Sequence, residues 1–406
     1  MPRILVFNVP TQGHINPMLP VVQELVGRGS EVVFYLTPGY RKTIEATGAT
    51  FRPYTSLNDD YFESNGLDGS NPPRSALTLA KTSLELLPEL LTIVDDLQPD
   101  IILHDSMCPW GWLTAQITHI PSVSSMSLFM FDAMSMIRAG VLPSLLRLMI
   151  PNLPKLPQFS RVTAEIERQY GVKSPGFAQF LNTTGTITIS YTSKLLQPGN
   201  EKMPDSIKFV GPSVQPRTDQ SDFPFDQLTG QALIYISLGT VINQNQEFYQ
   251  RCFQAFGDSG CQVVMSVGKK MDIASLGELP ENFIVRNFVP QLEILQRAAL
   301  FITHSGMNSV HEGLYYNVPL LLVPQQVEQR YVASRIQELG AGLMLSSATP
   351  SVHELQTSAR GIMDDTQFKR QATVAGDSLR QAGGHQRAAD EILLLIRAGL
   401  YKEKPG

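Results

Sequence analysis

Residues 288–291 read FVPQ, and residues 300–313 read LFITHSGMNSVHEG. The second run is apolar up to Thr303 and then stops. Ser305 and Gly306 supply a turn, and a helical pattern opens near Asn308. A strand that turns through glycine into a helix aims backbone N–H groups, and the positive end of the helix dipole, at whatever lies beyond the strand. His304 and the Ser309 hydroxyl add donors there. Taken alone, SGMNS at 305–309 is better explained as a capped turn with no ligand, so the surrounding sequence has to decide.

On either side the chain alternates short apolar runs with helical patterns. Strands are expected at 4–9, 32–36, 100–104, 122–125 and 186–190, and again at 232–237, 262–267, 284–287, 300–303 and 319–323. These runs are apolar almost throughout, as strands of a parallel sheet covered on both faces must be. Helices are expected at 18–28, 77–97, 308–317 and 328–339. Two blocks of strand–helix alternation read as α/β, with two doubly wound Rossmann-like domains facing a central cleft. Residues 211–225, GPSVQPRTDQSDFPF, lack any period and are rich in Pro and polar groups, which makes them the linker between domains at 1–210 and 226–384. Each half opens with a strand, a glycine-containing turn (Gly13, Gly239) and a helix. Such sheets bind ligands at the carboxyl ends of their strands.

Composition narrows the function. A chain of 406 residues with 43% hydrophobic and 17% charged residues is globular. Its net charge of −5 argues against nucleic acid as a partner, because phosphate backbones select basic surfaces. Three cysteines without a CxxC pair form no disulfide framework, so a reducing, cytoplasmic compartment is expected. No run approaches the 18 apolar residues of a membrane span; the nearest, 126–150, is broken by Asp132, Arg138, Gly140, Pro143 and Arg147.

Two residues in the first half carry chemistry. His14 follows Gly13 at the first strand-to-helix junction, and its imidazole can accept a hydroxyl proton near neutral pH. Asp105 ends the strand at 100–104, also on the ligand edge, where a carboxylate would fix the His14 tautomer. Taken singly, His14 reads more readily as a helix cap and Asp105 as a turn residue. The adjacent pair His104 and Asp105 could serve a metal phosphohydrolase, but no second His/Asp cluster supports one.

The chain as a whole resembles UDP-sugar-dependent glycosyltransferases of family 1, which have the GT-B fold, and within them the macrolide glycosyltransferase branch. The resemblance rests on VPQ at 289–291, FITHSGMNS at 301–309, PQ at 324–325, EQ at 328–329 and AGGHQRAA at 382–389. In the first half it rests on GHINP at 13–17, DS at 105–106 and WG at 110–111. These motifs are collinear over nearly the full length. The resemblance implies that 1–210 binds acceptor, that 226–384 binds donor, and that residues 385–406 form a helix crossing back to the first domain. It implies His14 as general base and Asp105 as its partner. It assigns Gln291, with Val289 beside it, to the uracil edge and Glu312 to the ribose hydroxyls. The diphosphate falls to His304, Gly306, Asn308, Ser309, Gly239 and Thr240, and the sugar hydroxyls to Glu328 and Gln329. Phe288 stands where relatives often have Trp, and still offers a stacking face. Ser305 replaces a common Gly or Cys and should be tolerated. Glu328 replaces an Asp frequent in plant relatives, and the spacing from Phe288 to His304 is shorter than in the plant signature.

The segment 126–150 holds five of the 14 methionines. Flexible thioethers suit adaptable apolar surfaces, although core packing accounts for them equally well. With the resemblance, Met126, Phe129, Met130 and Met134 are expected to line an acceptor pocket with Asn16 and Met107, and 54–79 to form a variable acceptor loop. The expected reaction is inverting transfer, probing first with UDP-glucose, onto a hydroxyl of a small apolar acceptor such as a phenolic, flavonoid, polyketide or macrolide. The UDP-sugar is a co-substrate, with no cofactor. The absence of a DxD triplet or compact His/Asp cluster agrees with metal independence. A monomer or weak dimer is expected. Two other readings share the scaffold: a UDP-sugar epimerase or hydrolase, and a non-catalytic partner of a true transferase.

Overall fold

The computed structural model describes residues 1–59, 61, 71–131, 133–215, 223–239 and 243–402. The first half builds seven strands: β1 (Arg3–Phe7), β2 (Glu31–Leu36), β3 (Thr50–Pro53), β4 (Ile101–Asp105), β5 (Ser122–Met126), β6 (Ile187–Ser190) and β7 (Ile207–Phe209). The second builds six: β8 (Leu233–Ser237), β9 (Gln262–Ser266), β10 (Phe283–Arg286), β11 (Ala298–Thr303), β12 (Leu320–Leu322) and β13 (Gly342–Met344). Every pairing is parallel. The orders are β3-β2-β1-β4-β5-β6-β7 and β10-β9-β8-β11-β12-β13.

The ten strands expected from apolar runs all form. The structure adds β3, β7 and β13, each at a sheet edge and each fully burying a single residue. β10 is also an edge strand but buries Phe283, Ile284 and Val285, which is why its run was legible; one buried residue leaves no apolar run to read.

Both orders reverse direction between two central strands, and that switch point opens a crevice at the strand ends. In the first sheet the reversal lies between β1 and β4, where Phe7 pairs with His104. The chain leaving β1 enters the helix Gln12–Gly27, and β4 ends on Asp105. In the second sheet it lies between β8 and β11, where Ser237 pairs with Thr303. Gly239 and His304 leave those two strands side by side. The topology therefore places the four turns singled out in the sequence at the two switch points.

One core fills the first half, and two more cover the faces of the second sheet. The last helix, Gly384–Lys402, contributes Ala388, Ala389, Ile392 and Ile396 to the first core, not to the domain before it. Arg28, at the end of the Gln12–Gly27 helix, binds Asp390 and donates to the Gln386 carbonyl at 3.3 Å. The crossing is thus held by buried aliphatic surface, worth roughly 1.5–3 kcal/mol per large side chain, and framed by an exposed ion pair. Residues 216–222 of the linker lie outside the described residues.

Candidate active site

His14 occupies the first turn of the Gln12–Gly27 helix, its side chain 12% exposed. Its Nδ1 lies 2.9 and 3.0 Å from the two carboxylate oxygens of the buried Asp105. An ionised carboxylate only accepts, so Nδ1 carries the proton and Nε2 keeps its lone pair. The Met107 backbone N–H donates to Asp105 Oδ1 at 2.7 Å and fixes the carboxylate. Burial pulls the His14 pKa down, but the charge and hydrogen bond of Asp105, helped by the charge of Glu328, outweigh it and hold the pKa above its usual value. Ser127, just past β5, places its hydroxyl 3.2 Å from Nδ1. Sequence reasoning missed it, since one serine in SVSSMS carries no signal of its own.

The second switch point holds His304. Its imidazole is sandwiched between Gly239 and Gly306. A Cβ built at Gly239 would come within 2.5 Å of Cε1, and one at Gly306 within 2.4 Å of Nε2. Gly239 also has φ +78°, a conformation that L side chains rarely adopt. These glycines are required by the ring as well as by the turn. Burial pushes the His304 pKa down to about 4, with the Ser237 backbone opposing weakly, so the ring is neutral at pH 7. Its Nδ1 is buried without a hydrogen-bond partner among the described residues. Ser305 has φ +71° and a buried hydroxyl likewise unpartnered. This left-handed conformation favours glycine, a backbone constraint that the sequence alone did not reveal.

Gly306 caps the helix Met307–Tyr315, whose first N–H groups have no partners within the helix. Asn308 reaches across to the first domain and donates to the Gly13 carbonyl at 3.4 Å. A junction cavity is lined from one side by Asn16 and Pro17 and from the other by Asn308 and Glu312. His311, on the same helix, meets Thr192 of the first half at 3.0 Å. Ser309 is half-buried in the first turn. The catalytic candidates of one half therefore face the phosphate candidates of the other.

One turn further along that helix, buried Glu312 accepts from Gln291 Nε2 at 2.5 Å, and Tyr235 donates to Gln291 Oε1 at 2.9 Å. The side-chain amide expected at the uracil edge is engaged by Tyr235 and Glu312, and a nucleotide would share it with them. Tyr235 was not singled out from sequence. Phe288 is 43% exposed, while Val289 beside it is buried. Glu328 is half-buried near His14; burial raises its pKa and the His14 charge draws it partly back. Gln329 is buried and accepts from the Gln325 N–H at 2.8 Å, bracing the loop before its own helix, Val327–Glu338. Thr240 lies outside the described residues.

The expected acceptor residues divide. Met107 and Met130 are half-buried, Asn16 and Met134 exposed, and Met126 fully buried. Phe129 is buried edge-on against His311 and Tyr331 of the second domain, at 6.5 and 6.3 Å between ring centres. It packs as core between the domains and does not present a free face. The expected loop at 54–79 also needs correction at both ends. Tyr54 is buried, donating to the Asn8 carbonyl and accepting from Trp110 Nε1, and a helix already begins at Pro72, capped by Asn71. Residues 60 and 62–70 lie outside the described residues. Among the described residues no group of three His, Cys, Asp or Glu could hold a metal, and no helix is long and apolar enough to cross a membrane.

Comparison with known proteins identifies the family and the fold. The family profile described as UDP-glucoronosyl and UDP-glucosyl transferase matches residues 214–376. The chain is 33% identical to the uncharacterized UDP-glucosyltransferase YojK of Bacillus subtilis (strain 168) over 98% of both chains. It is 34% identical to the NDP-glycosyltransferase YjiC of Bacillus licheniformis over 96% of both. Among solved structures, the glycosyltransferase of kitacinnamycin superposes with a TM-score of 0.84 at 26% identity, covering 98% of this chain and all of the other. The chain is a glycosyltransferase of the UDP-glycosyltransferase family, family 1, with the GT-B fold.

Proposed function

We propose that the protein transfers a sugar from a UDP-sugar, glucose being the first to try, to a hydroxyl of a small apolar acceptor, with inversion at the anomeric carbon. His14 Nε2 takes the acceptor proton as the acceptor oxygen bonds to the anomeric carbon and the bond to the diphosphate breaks. Asp105 then faces an imidazolium, whose charge it stabilises. The departing UDP gains charge at the Met307–Tyr315 helix start, where preorganised N–H groups and the neutral His304 N–H receive it. Phe288 stacks on the base. Glu312 and Gln291 hold the nucleoside, and Glu328 and Gln329 the sugar.

The single observation carrying this reading is the His14–Asp105 pair standing opposite the Asn308 helix start, with Asn308 touching the Gly13 carbonyl. The acceptor class is suggested by relatives named for antibiotics, such as oleandomycin glycosyltransferase of Streptomyces antibioticus and the glycosyltransferase of kitacinnamycin. We further propose that no metal takes part, because helix and imidazole donors supply the diphosphate's counter-charge; the rate should then be unchanged in chelator. A cytoplasmic setting fits the three free cysteines.

The test is a matrix of UDP-sugars against phenols, flavonoids and macrolides, read by mass spectrometry. Adducts heavier by one hexose on the apolar acceptors are expected. Donor consumption without acceptor would point to a hydrolase or epimerase, and an inert chain that still binds UDP to a non-catalytic partner.

A further inference from the structure

The helices Ala133–Arg138 and Leu142–Met149 and the turn Ile150–Lys155 after them present an apolar face to solvent. Met134, Ile137, Leu142, Leu146, Ile150 and Leu153 are 37% to 62% exposed. The rest of the chain's exposed large apolar side chains are mostly scattered singly. From Leu142 the spacing runs four, four and three, which is one stripe of a helical surface, and Leu142–Met149 has no fully buried side chain.

Charge marks the same segment. Between Asp132 and Glu165 the sequence carries Arg138, Arg147, Lys155 and Arg161 and no acidic residue, in a chain of net charge −5. The three arginines are exposed, and among the described residues none of the four cations is ion-paired. Lys155 donates to Asn152, to which Asn71, the cap of the underlying Pro72–Leu97 helix, also donates.

A wall for a neutral apolar ligand gains nothing from four cations that have no ionic partner among the described residues. A symmetric contact with a second copy would set the same cations against each other. An anionic bilayer surface satisfies both features at once, taking apolar side chains below its headgroups and arginines among them. We propose that residues 133–161 dock the enzyme on an anionic lipid surface, with the two helices lying in the interface plane. This goes beyond the transfer reaction and does not depend on the acceptor's identity.

The full chain is sedimented with vesicles of phosphatidylcholine alone or mixed with phosphatidylglycerol. Partition to the mixed vesicles is expected, at least about tenfold above the neutral ones, and falling as salt rises. The double variants Arg138→Glu/Arg147→Glu and Leu146→Ser/Ile150→Ser should each lose about tenfold of that partition while binding UDP as the parent does. Failure to bind mixed vesicles overturns the proposal, as does equal binding by both variants with UDP affinity intact. A concentration-dependent dimer in light scattering that Leu146→Ser/Ile150→Ser abolishes would give the face to a second copy instead.

Discussion

Replacing Asp105 by Asn removes the charge while keeping the shape, and the hydrogen bonds around it set the outcome. Asp105 Oδ1 is pinned by the Met107 N–H at 2.7 Å, so in the variant the amide oxygen stays there. The NH2 group then takes the place of Oδ2, 2.9 Å from His14 Nδ1, and donates to it. The neutral imidazole is driven to the tautomer with its proton on Nε2, the nitrogen that must receive the acceptor's proton. Loss of a positioned general base costs about a hundredfold to ten-thousandfold, or about 2.7–5.4 kcal/mol in the barrier. The pH dependence should move as well. Burial lowers the His14 pKa and the Asp105 contributions raise it above its usual value. In the parent enzyme, activity should therefore climb as pH rises through a pKa above 6.5; in the variant that limb should move to lower pH. The assay is UDP release from pH 5 to 9 with a good acceptor, with UDP affinity measured by calorimetry. Turnover within threefold of the parent would refute the reasoning, and so would an equal loss of UDP affinity, since Asp105 lies on the acceptor side.

Three other substitutions probe the donor side and the core. Gly239→Ala, with φ +78° and a Cβ 2.5 Å from the His304 ring, should displace the imidazole and weaken UDP binding by about tenfold or more, read by calorimetry. Ser305→Gly relieves a left-handed φ of +71° and an unpartnered buried hydroxyl, and should raise unfolding stability by about 1 kcal/mol, seen as a higher Tm. Ile392→Ala, in the crossing helix, should cost about 2–5 kcal/mol in the first domain's core and lower its melting temperature, although Ile392 lies in the C-terminal helix.

The central strands, and the edge strand β10 with its three buried residues, were legible because burial leaves an unbroken apolar run. The edge strands β3, β7 and β13, with one buried residue each, left no such trace. His14 and Asp105 each follow or end an expected strand, but taken singly they read as a cap and a turn residue; the resemblance carried by GHINP at 13–17 and DS at 105–106 is what joined them from sequence. The environment of His304 could not be read: Gly239 and Gly306 announce turns, but not that an imidazole fills the space between them. Ser127 and Tyr235 act through contacts made only on folding, with residues far off in sequence. Phe129 shows the opposite failure. An aromatic in a methionine-rich run suits a pocket, yet tertiary packing places it between the domains against His311 and Tyr331.

The central claim concerns where the pyrophosphate sits, so a crystal structure with UDP bound tests it most directly. The expected result is diphosphate oxygens within about 3 Å of the N–H groups at the start of the Met307–Tyr315 helix, with His14 Nε2 open to the space beyond them. UDP lodged away from that helix start, or a diphosphate shielded from His14 by protein, would contradict it.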